Sequence, residues 1–158
     1  MYIVIRSDLH NMNILFFLTP KSEVEYIYDD FSLRQTLEKM EHHHYTAIPL
    51  LSRSGSYIGT ITEGDLLRVI KNKFSLTLHE AEDFPIRQVP RRWHNNPVNI
   101  NCDIEDLFQT AMRQNFVPVV DDNGKFIGII TRKDILSYCF RKLTESDSSE
   151  LSDSGDTL

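Results

Sequence analysis

Cysteine is scarce in this chain: Cys102 and Cys139 are the only two. Two thiols build no disulfide framework, so a reducing, cytoplasmic setting is expected. Neither sits in a His/Asp pattern of the kind that activates a nucleophile. Long apolar runs are missing too. Ile14-Leu15-Phe16-Phe17-Leu18 falls far short of the roughly 18 residues of a membrane span. Asp8 stands where a signal peptide carries basic residues, so no membrane association and no signal peptide are expected. Positive charge is in deficit, with 17 Lys and Arg against 23 Asp and Glu and a net charge of −6. Five of the acids lie after Leu143, in a stretch with no Lys or Arg, and the rest of the chain carries only −1. That balance offers nucleic acid no basic surface. It also marks residues 144–158 as an expected disordered acidic tail. Gly-rich phosphate loops, His-Glu-x-x-His pairs and helix-turn-helix signatures are absent. His42-His43-His44 points around a helix rather than converging, and no Cys or carboxylate spacing completes a tetrahedral set. A solvated helix end is the expectation there, with no metal.

What the chain does contain is one passage written twice. Ala47-Ile48-Pro49-Leu50-Leu51, Gly55, Tyr57-Ile58-Gly59-Thr60-Ile61-Thr62 and Asp65-Leu66-Leu67 return later. They come back as Phe116-Val117-Pro118-Val119-Val120, Gly124, Phe126-Ile127-Gly128-Ile129-Ile130-Thr131 and Asp134-Ile135-Leu136. One offset of 69 positions relates Pro49 to Pro118, Gly59 to Gly128, Thr62 to Thr131 and Asp65 to Asp134. A gapless offset across two strands and a helix start means two copies of one supersecondary unit. A copy of about 60 residues is marginal by itself, which favours the two packing on each other.

Each copy reads β-α-β-β-α, an α+β arrangement. In the first, Val24-Glu25-Tyr26-Ile27 alternates like a short strand. Leu33, Leu37 and Met40 recur at helical spacing behind Ser32, a suitable N-cap. Ala47–Leu51 and Tyr57–Ile61 flank a turn, and Leu66, Leu67 and Ile70 mark the next helix. In the second, Val98-Asn99-Ile100 is the first strand, and Asp103 caps a helix through Leu107, Phe108 and Ala111. Asp122-Asn123-Gly124 is the turn, and Ile135, Leu136 and Cys139 open the final helix. Met40 and Met112 are expected in the core. Met40 precedes Pro49 by nine residues and Met112 precedes Pro118 by six, so about three residues are missing between helix and strand in the second copy. The two clefts should therefore differ in shape. The expected division is repeat 1 over residues 12–75, a linker over 76–97, and repeat 2 over 98–143, with its first strand beginning as early as 90. Residues 1–11 have no counterpart in the second copy, which makes Met12 a second candidate start.

The recurring polar element is Gly-x-x-Thr-x-x-Asp at a strand-to-helix junction. One reading is a capping box, with the Thr hydroxyl on an orphan N–H and the acid answering back. The other is a ligand corner. A carboxylate beside a hydroxyl can accept both protons of a vicinal diol such as ribose, and a helix N-terminus offers N–H groups to a phosphate. The Gly removes a side chain that would block close approach. Pro49 and Pro118 imply a free sheet side next to the corner.

On these motifs the chain resembles tandem CBS domains, the Bateman module, of the stand-alone bacterial type. The resemblance covers roughly residues 19–72 and 90–142. It implies two repeats packed about a pseudo-twofold axis, a disc-like homodimer, and no enzymatic activity. It also implies a regulatory ligand containing adenosine (AMP, ADP, ATP, S-adenosylmethionine or cyclic di-AMP) rather than a cofactor, and an unidentified protein that the module regulates. By position, Thr62 with Asp65 and Thr131 with Asp134 match the ribose-binding pairs. Thr60 and Ile129 match backbone positions lining the nucleoside, and Ala47, Ile48, Phe116 and Val117 match positions near base or phosphate. Adenine would rest against Val24 and Ala47, or Val98 and Phe116. Some family members carry a basic residue just before that strand, where this chain has Thr46-Ala47 and Asn115-Phe116. Arg132 and Lys133 substitute in the second copy, whereas the first has Glu63 and Gly64. Arg91 and Arg92 are placed either at the second site or, in preference, on a solvated linker. Trp93 either stacks on a base or covers a domain seam. The rival reading is a protein-interaction scaffold whose clefts hold no ligand.

Overall fold

A computed structural model of the chain describes residues 12–73 and 77–150. The expected α+β class and the doubled β-α-β-β-α order are present. A short leading strand β1 (Thr19–Pro20) comes first. The first repeat follows as β2 (Ile27–Tyr28), α1 (Leu33–His43), β3 (Ala47–Leu51), β4 (Tyr57–Thr62) and α2 (Glu63–Asn72). Helix α3 (Leu78–Asp83) lies between the repeats. The second repeat is β5 (Val98–Asn99), α4 (Ile104–Ala111), β6 (Phe116–Val120), β7 (Phe126–Thr131) and α5 (Arg132–Glu150).

The repeat offset is visible in the register. In one sheet β2 runs parallel to β3 and β3 antiparallel to β4, with Ala47 opposite Thr62 and Leu50 opposite Gly59. In the other β5 runs parallel to β6 and β6 antiparallel to β7, with Phe116 opposite Thr131 and Val119 opposite Gly128. The β2 ladder begins at Leu50 and the β5 ladder at Val119, just past each proline. Pro49 and Pro118 thus lie where their missing N–H leaves no ladder bond unmade.

The two hairpin tips meet through crossed backbone bonds. Tyr57 N–H donates to Gly124 O at 3.2 Å, and Phe126 N–H donates to Gly55 O at 2.9 Å. These bonds exchange under the 69-residue offset, and Tyr57 stacks on Phe126, its own counterpart, at 6.2 Å between centroids. Gly55 and Gly124 hold φ of 87° and 72°, left-handed values that favour glycine. Together these contacts place the pseudo-twofold axis between the tips.

The packing units differ from the sequence units. One core contains Val98, Ile104, Leu107, Val117, Val119 and Ile130 of the second repeat, but also Ile14 and Phe17 from ahead of the first. Phe17 meets Tyr138 edge to face at 5.3 Å and Phe108 at 6.4 Å. The other core contains Ile27, Leu33, Ile48 and Ile61 of the first repeat together with Ala81, Ile86 and Val89 from ahead of the second. Strand β1 accordingly adds to β7 and not to its own repeat. Each leading segment completes the opposite half.

Several expectations change in detail. The first strand is Ile27–Tyr28 rather than Val24–Ile27. Lys21–Glu23 forms a 3-10 turn that Val24 ends. Likewise Ile100 lies past the end of β5. Ser32 caps α1 as expected, and Gln35 completes a capping box with it, whereas Asp103 holds the N-cap position without a side-chain bond. Met112 is not core: it is 73% exposed. Helix α4 has eight residues against eleven in α1, and buried Ala111 takes the place of Met40. Ala111 stands seven residues before Pro118 where Met40 stands nine before Pro49, so two residues are missing rather than three. The final helix passes the expected end at Leu143 and continues to Glu150, so residues 144–150 of the expected disordered tail are helical. Residues 151–158 of that tail, and residues 1–11 ahead of Met12, lie outside the described residues.

A methyl group at Gly128 would overlap the backbone carbonyl of Thr19, whereas at the equivalent Gly59 it would meet only the Arg91 guanidinium, at 2.8 Å. Backbone cannot give way and a flexible side chain can. Gly128→Ala is therefore expected to cost about 1–3 kcal/mol and Gly59→Ala clearly less, measured by urea denaturation of the two variants side by side.

Candidate functional site

The two Gly-x-x-Thr-x-x-Asp corners occupy equivalent places, each where a hairpin's last strand turns into a helix. Thr62 is the N-cap of α2, and Thr131 immediately precedes α5. Glu63 N–H donates to Thr46 O and Arg132 N–H to Asn115 O, both at 3.0 Å. The same bond thus ties each corner to the start of its partner strand.

The first corner is saturated. Thr62 forms a full capping box with Asp65. Asp65 Oδ2 accepts from the Thr62 amide at 3.0 Å and the Thr62 hydroxyl at 2.8 Å. Its Oδ1 accepts from the Arg68 guanidinium and from the Arg92 amide at 3.1 Å. The Asp65 side chain is fully buried. Capping and ion pairing consume every good direction around this carboxylate.

The second corner is open. Thr131 Oγ1 donates to Asp134 Oδ2, and the Asp134 amide donates to Thr131 Oγ1 at 3.1 Å. Among the described residues no donor reaches Asp134 Oδ1. The Asp134 side chain faces a cleft of about 360 Å³ that Phe16, Leu18, Ser137, Tyr138 and Arg141 also line. The leading segment thus helps to wall the second corner.

The glycines of the motif serve a different neighbour from the one expected. The room at Gly128 is taken by Leu18 and Thr19, and the room at Gly59 by Arg91. Crossing protein, not a ligand, uses both gaps.

The remaining expected residues fall into groups. Ala47 and Thr62 share a cleft of about 570 Å³ with Phe116, Asn115, Trp93 and Arg113. Here the two repeats do meet across a cavity, with exposed Trp93 on its wall. Ile48 and Val117 are wholly buried in the two cores, so their side chains do not reach a cleft. Thr60 is buried and hydrogen-bonded to the Tyr57 hydroxyl at 2.9 Å. Ile129 is half-buried opposite Thr19. Val98 is buried, and its structural counterpart is Ile27, not the half-buried Val24: each begins the strand that pairs with Leu50 or Val119. Arg132 Nε is engaged on the Ala111 carbonyl at 3.0 Å, and Lys133 is exposed. Both arginines lie by the first corner and not the second: Arg91 lays its guanidinium over Gly59, and Arg92 brings its backbone amide to Asp65 while the residue itself stays exposed, as expected of a solvated linker. The reason is that Ile86 and Val89 bury just before them and draw the segment across β4.

Reasoning from sequence passed over Arg68, Ser137 and Arg141. The signal for the first two was readable, since Arg68 and Ser137 are the same position of the repeat. The His42 and His43 rings stand perpendicular, and His43 stacks on Tyr45. Among the described residues no group of three or more His, Cys, Asp or Glu side chains converges. Burial pushes both thiols up, with Asp106 and Asp103 adding to the effect at Cys102. At neutral pH they are held as thiols rather than nucleophilic thiolates.

Comparisons with known proteins agree with this architecture. The family model described as the CBS domain matches residues 17–72 and 81–141. An uncharacterized protein of Methanocaldococcus jannaschii is 22% identical over 135 residues, which is 77% of this chain and 47% of that protein. The chain therefore spans about half the length of that relative. The crystal structure of CbpB in complex with c-di-AMP superposes with a TM-score of 0.80 at 23% identity, covering 94% of this chain and 97% of that one. That of CBSX2 in complex with AMP does so with a TM-score of 0.66 at 20% identity, over 83% and 98%. At these identities the likeness is one of fold.

Burial pushes the Tyr57 phenol up to about 12, against the opposing pull of the Thr60 hydroxyl and the Arg91 charge. Folding thus favours the neutral phenol, which donates to Asn95 O at 2.9 Å. This contribution is complete below the ordinary tyrosine value of about 10 and is lost as pH rises to about 12. Tyr57→Phe should remove the last phenolate step in an ultraviolet titration. It should also flatten the fall in stability over that pH window.

Proposed function

Because the chain belongs to the CBS-domain family, we propose that it is a regulatory module that senses an adenosine-containing nucleotide in the clefts between its repeats and signals to a partner protein. The observation that carries this reading is the open carboxylate oxygen of Asp134, held beside Thr131 at a helix start and facing a cleft. A vicinal diol is the ligand group that such an oxygen and its neighbouring hydroxyl accept together. The c-di-AMP complex of CbpB and the AMP complex of CBSX2 support an adenylate as that ligand.

In this reading Thr131 and Asp134 hold the ribose, with Thr62 and Asp65 their counterparts in the first repeat. Phe116 and Ala47 offer apolar surface to a base. Arg141 supplies positive charge for phosphate at the second corner, because it lines the same cleft while Arg132 is engaged on Ala111. The function is binding rather than turnover, in keeping with two thiols held protonated. Ligand binding shifts the module toward whichever arrangement it prefers, and a partner reads that arrangement. The saturated Asp65 is the one observation that favours the rival scaffold reading, and it concerns the first corner alone. Two thiols without a disulfide framework fit a reducing cytoplasm. Among the described residues no helix is long and apolar enough to cross a membrane.

The partner surface is also suggested by symmetry. Leu67 on α2 is 65% exposed, and its counterpart Leu136 on α5 is 60% exposed beside Phe140 at 70%. A groove of about 770 Å³ between α1 and α2 continues this apolar surface with Leu37, Leu66 and Ile70. Two like apolar faces related by a pseudo-twofold axis suit a second copy of this chain, which offers the same pair.

The adenylate reading is tested by thermal shift against AMP, ADP, ATP, S-adenosylmethionine and cyclic di-AMP, with GMP as control. A ligand at about a hundred times its Kd adds roughly 2.7 kcal/mol to stability, a rise of several degrees for a chain of this size. Asp134→Asn should abolish the rise. No shift with any adenylate at millimolar concentration would turn the reading to the scaffold. For the assembly, light scattering should report a dimer that Leu136→Glu together with Phe140→Glu converts to monomer.

A further inference from the structure

The two Thr-x-x-Asp corners share a backbone but not an electrostatic state. Asp65 accepts four hydrogen bonds, two from Thr62, one from Arg68 and one from the Arg92 amide. Asp134 accepts one, from Thr131. Two of the extra donors at Asp65 come from outside the repeated motif. Arg68 stands three residues past the aspartate, where the second repeat has Ser137. The Arg92 amide arrives because Ile86 and Val89 anchor the segment ahead of it in the first core. That segment also lays Arg91 over Gly59, so the strand face beside Asp65 is covered as well. At the second corner Ser137 is too short to reach Asp134 in the way Arg68 reaches Asp65. It lines the open cleft instead.

We propose that the residue three positions after each aspartate decides which corner takes a ligand: Arg68 latches Asp65 shut, and Ser137 leaves Asp134 free, so one chain binds one diol-bearing nucleotide, at the second corner. A diol brought to Asp65 would have to displace the Arg68 guanidinium, which reaches in from a partly exposed side chain, and leave a fully buried carboxylate without its cation, a cost that a neutral hydroxyl pair does not offset. At Asp134 the same diol meets an oxygen with no protein donor to displace. The inference rests on the nucleotide reading above for its ligand. The latch itself is a property of the protein without ligand.

The test exchanges the two residues. Wild type, Arg68→Ser, Ser137→Arg and the double exchange are titrated calorimetrically with AMP and, separately, with cyclic di-AMP. Each protein is also melted without ligand. The expectation is one nucleotide-binding corner per chain in the wild type. Ser137→Arg should weaken binding by about tenfold or more, the scale of one charge-assisted hydrogen bond lost to the ligand. Arg68→Ser should open a second corner and raise the stoichiometry, and the double exchange should move binding to the first repeat, where Asp134→Asn no longer abolishes it. In the ligand-free melts Arg68→Ser should lower the Tm by several degrees, because it strips a buried carboxylate of its cation. Ser137→Arg should not lower it. Two equivalent nucleotides per wild-type chain, or binding to Ser137→Arg with unchanged affinity, would overturn the proposal while leaving the nucleotide reading intact. Failure of every variant to bind either probe would sink the nucleotide reading and the ligand half of the proposal with it. The latch would then stand or fall on the melts, where an unchanged Tm in Arg68→Ser overturns it.

Discussion

Each hydrophobic core in this chain is completed by a segment that precedes the other repeat, and the unequal surroundings of the two Thr-x-x-Asp corners follow in large part from that exchange. Ile14 and Phe17 bury against Leu107, Val117 and Tyr138 of the second repeat. Ala81, Ile86 and Val89 bury against Leu33, Ile48 and Ile61 of the first. Burying one side chain of this size contributes about 1.5–3 kcal/mol, which is large beside the few kcal/mol that a 60-residue unit can muster alone. The repeats are therefore halves of one cooperative structure. The crossed bonds between Gly55, Tyr57, Gly124 and Phe126 then fix how the halves face each other.

The exchange also breaks the symmetry that the repeat would otherwise impose. Both leading segments cross the last strand of the opposite hairpin at its glycine. Thr19 does so with its backbone, and Arg91 with its guanidinium. The backbone crossing becomes a strand and walls a cleft beside Asp134. The arginine crossing carries the Arg92 amide onto Asp65, where it joins the Arg68 latch. Two identical motifs thus end in different chemical states. The difference originates in what passes over them and in the single exchange of Arg68 for Ser137. A capping role and a ligand role, which the motif alone leaves open, are divided between the two copies: Asp65 is committed to its own chain, and Asp134 retains a free oxygen.

Much of this is legible in the sequence. The offset of 69 carried the two copies, their paired strands and both corners, because each is a local consequence of residue spacing. Ser32 was readable as a cap for the same reason. What escaped was non-local. Met112 reads as core by analogy with Met40, but the shortened helix hands that place to Ala111. Val24 reads as the partner of Val98, but the 3-10 turn at Lys21–Glu23 moves the first strand on to Ile27. Arg91 reads as solvated, since no pattern in a linker announces that Ile86 and Val89 will pull it across a sheet.

By itself the sequence determined the repeated unit, its strand and helix order, and the two Thr-x-x-Asp corners. Each of these depends on residues close together in the chain, where backbone geometry and side-chain period leave few alternatives. Only the tertiary structure decided which segment completes which core, that Asp65 is enclosed and Asp134 is not, and which helix faces stay apolar and uncovered. The Arg68 pair apart, those outcomes depend on contacts between residues some twenty-five to a hundred and twenty positions apart, such as Asp65 with Arg92 and Phe17 with Tyr138. Burial selects such contacts from many competing pairings, and no local pattern encodes them.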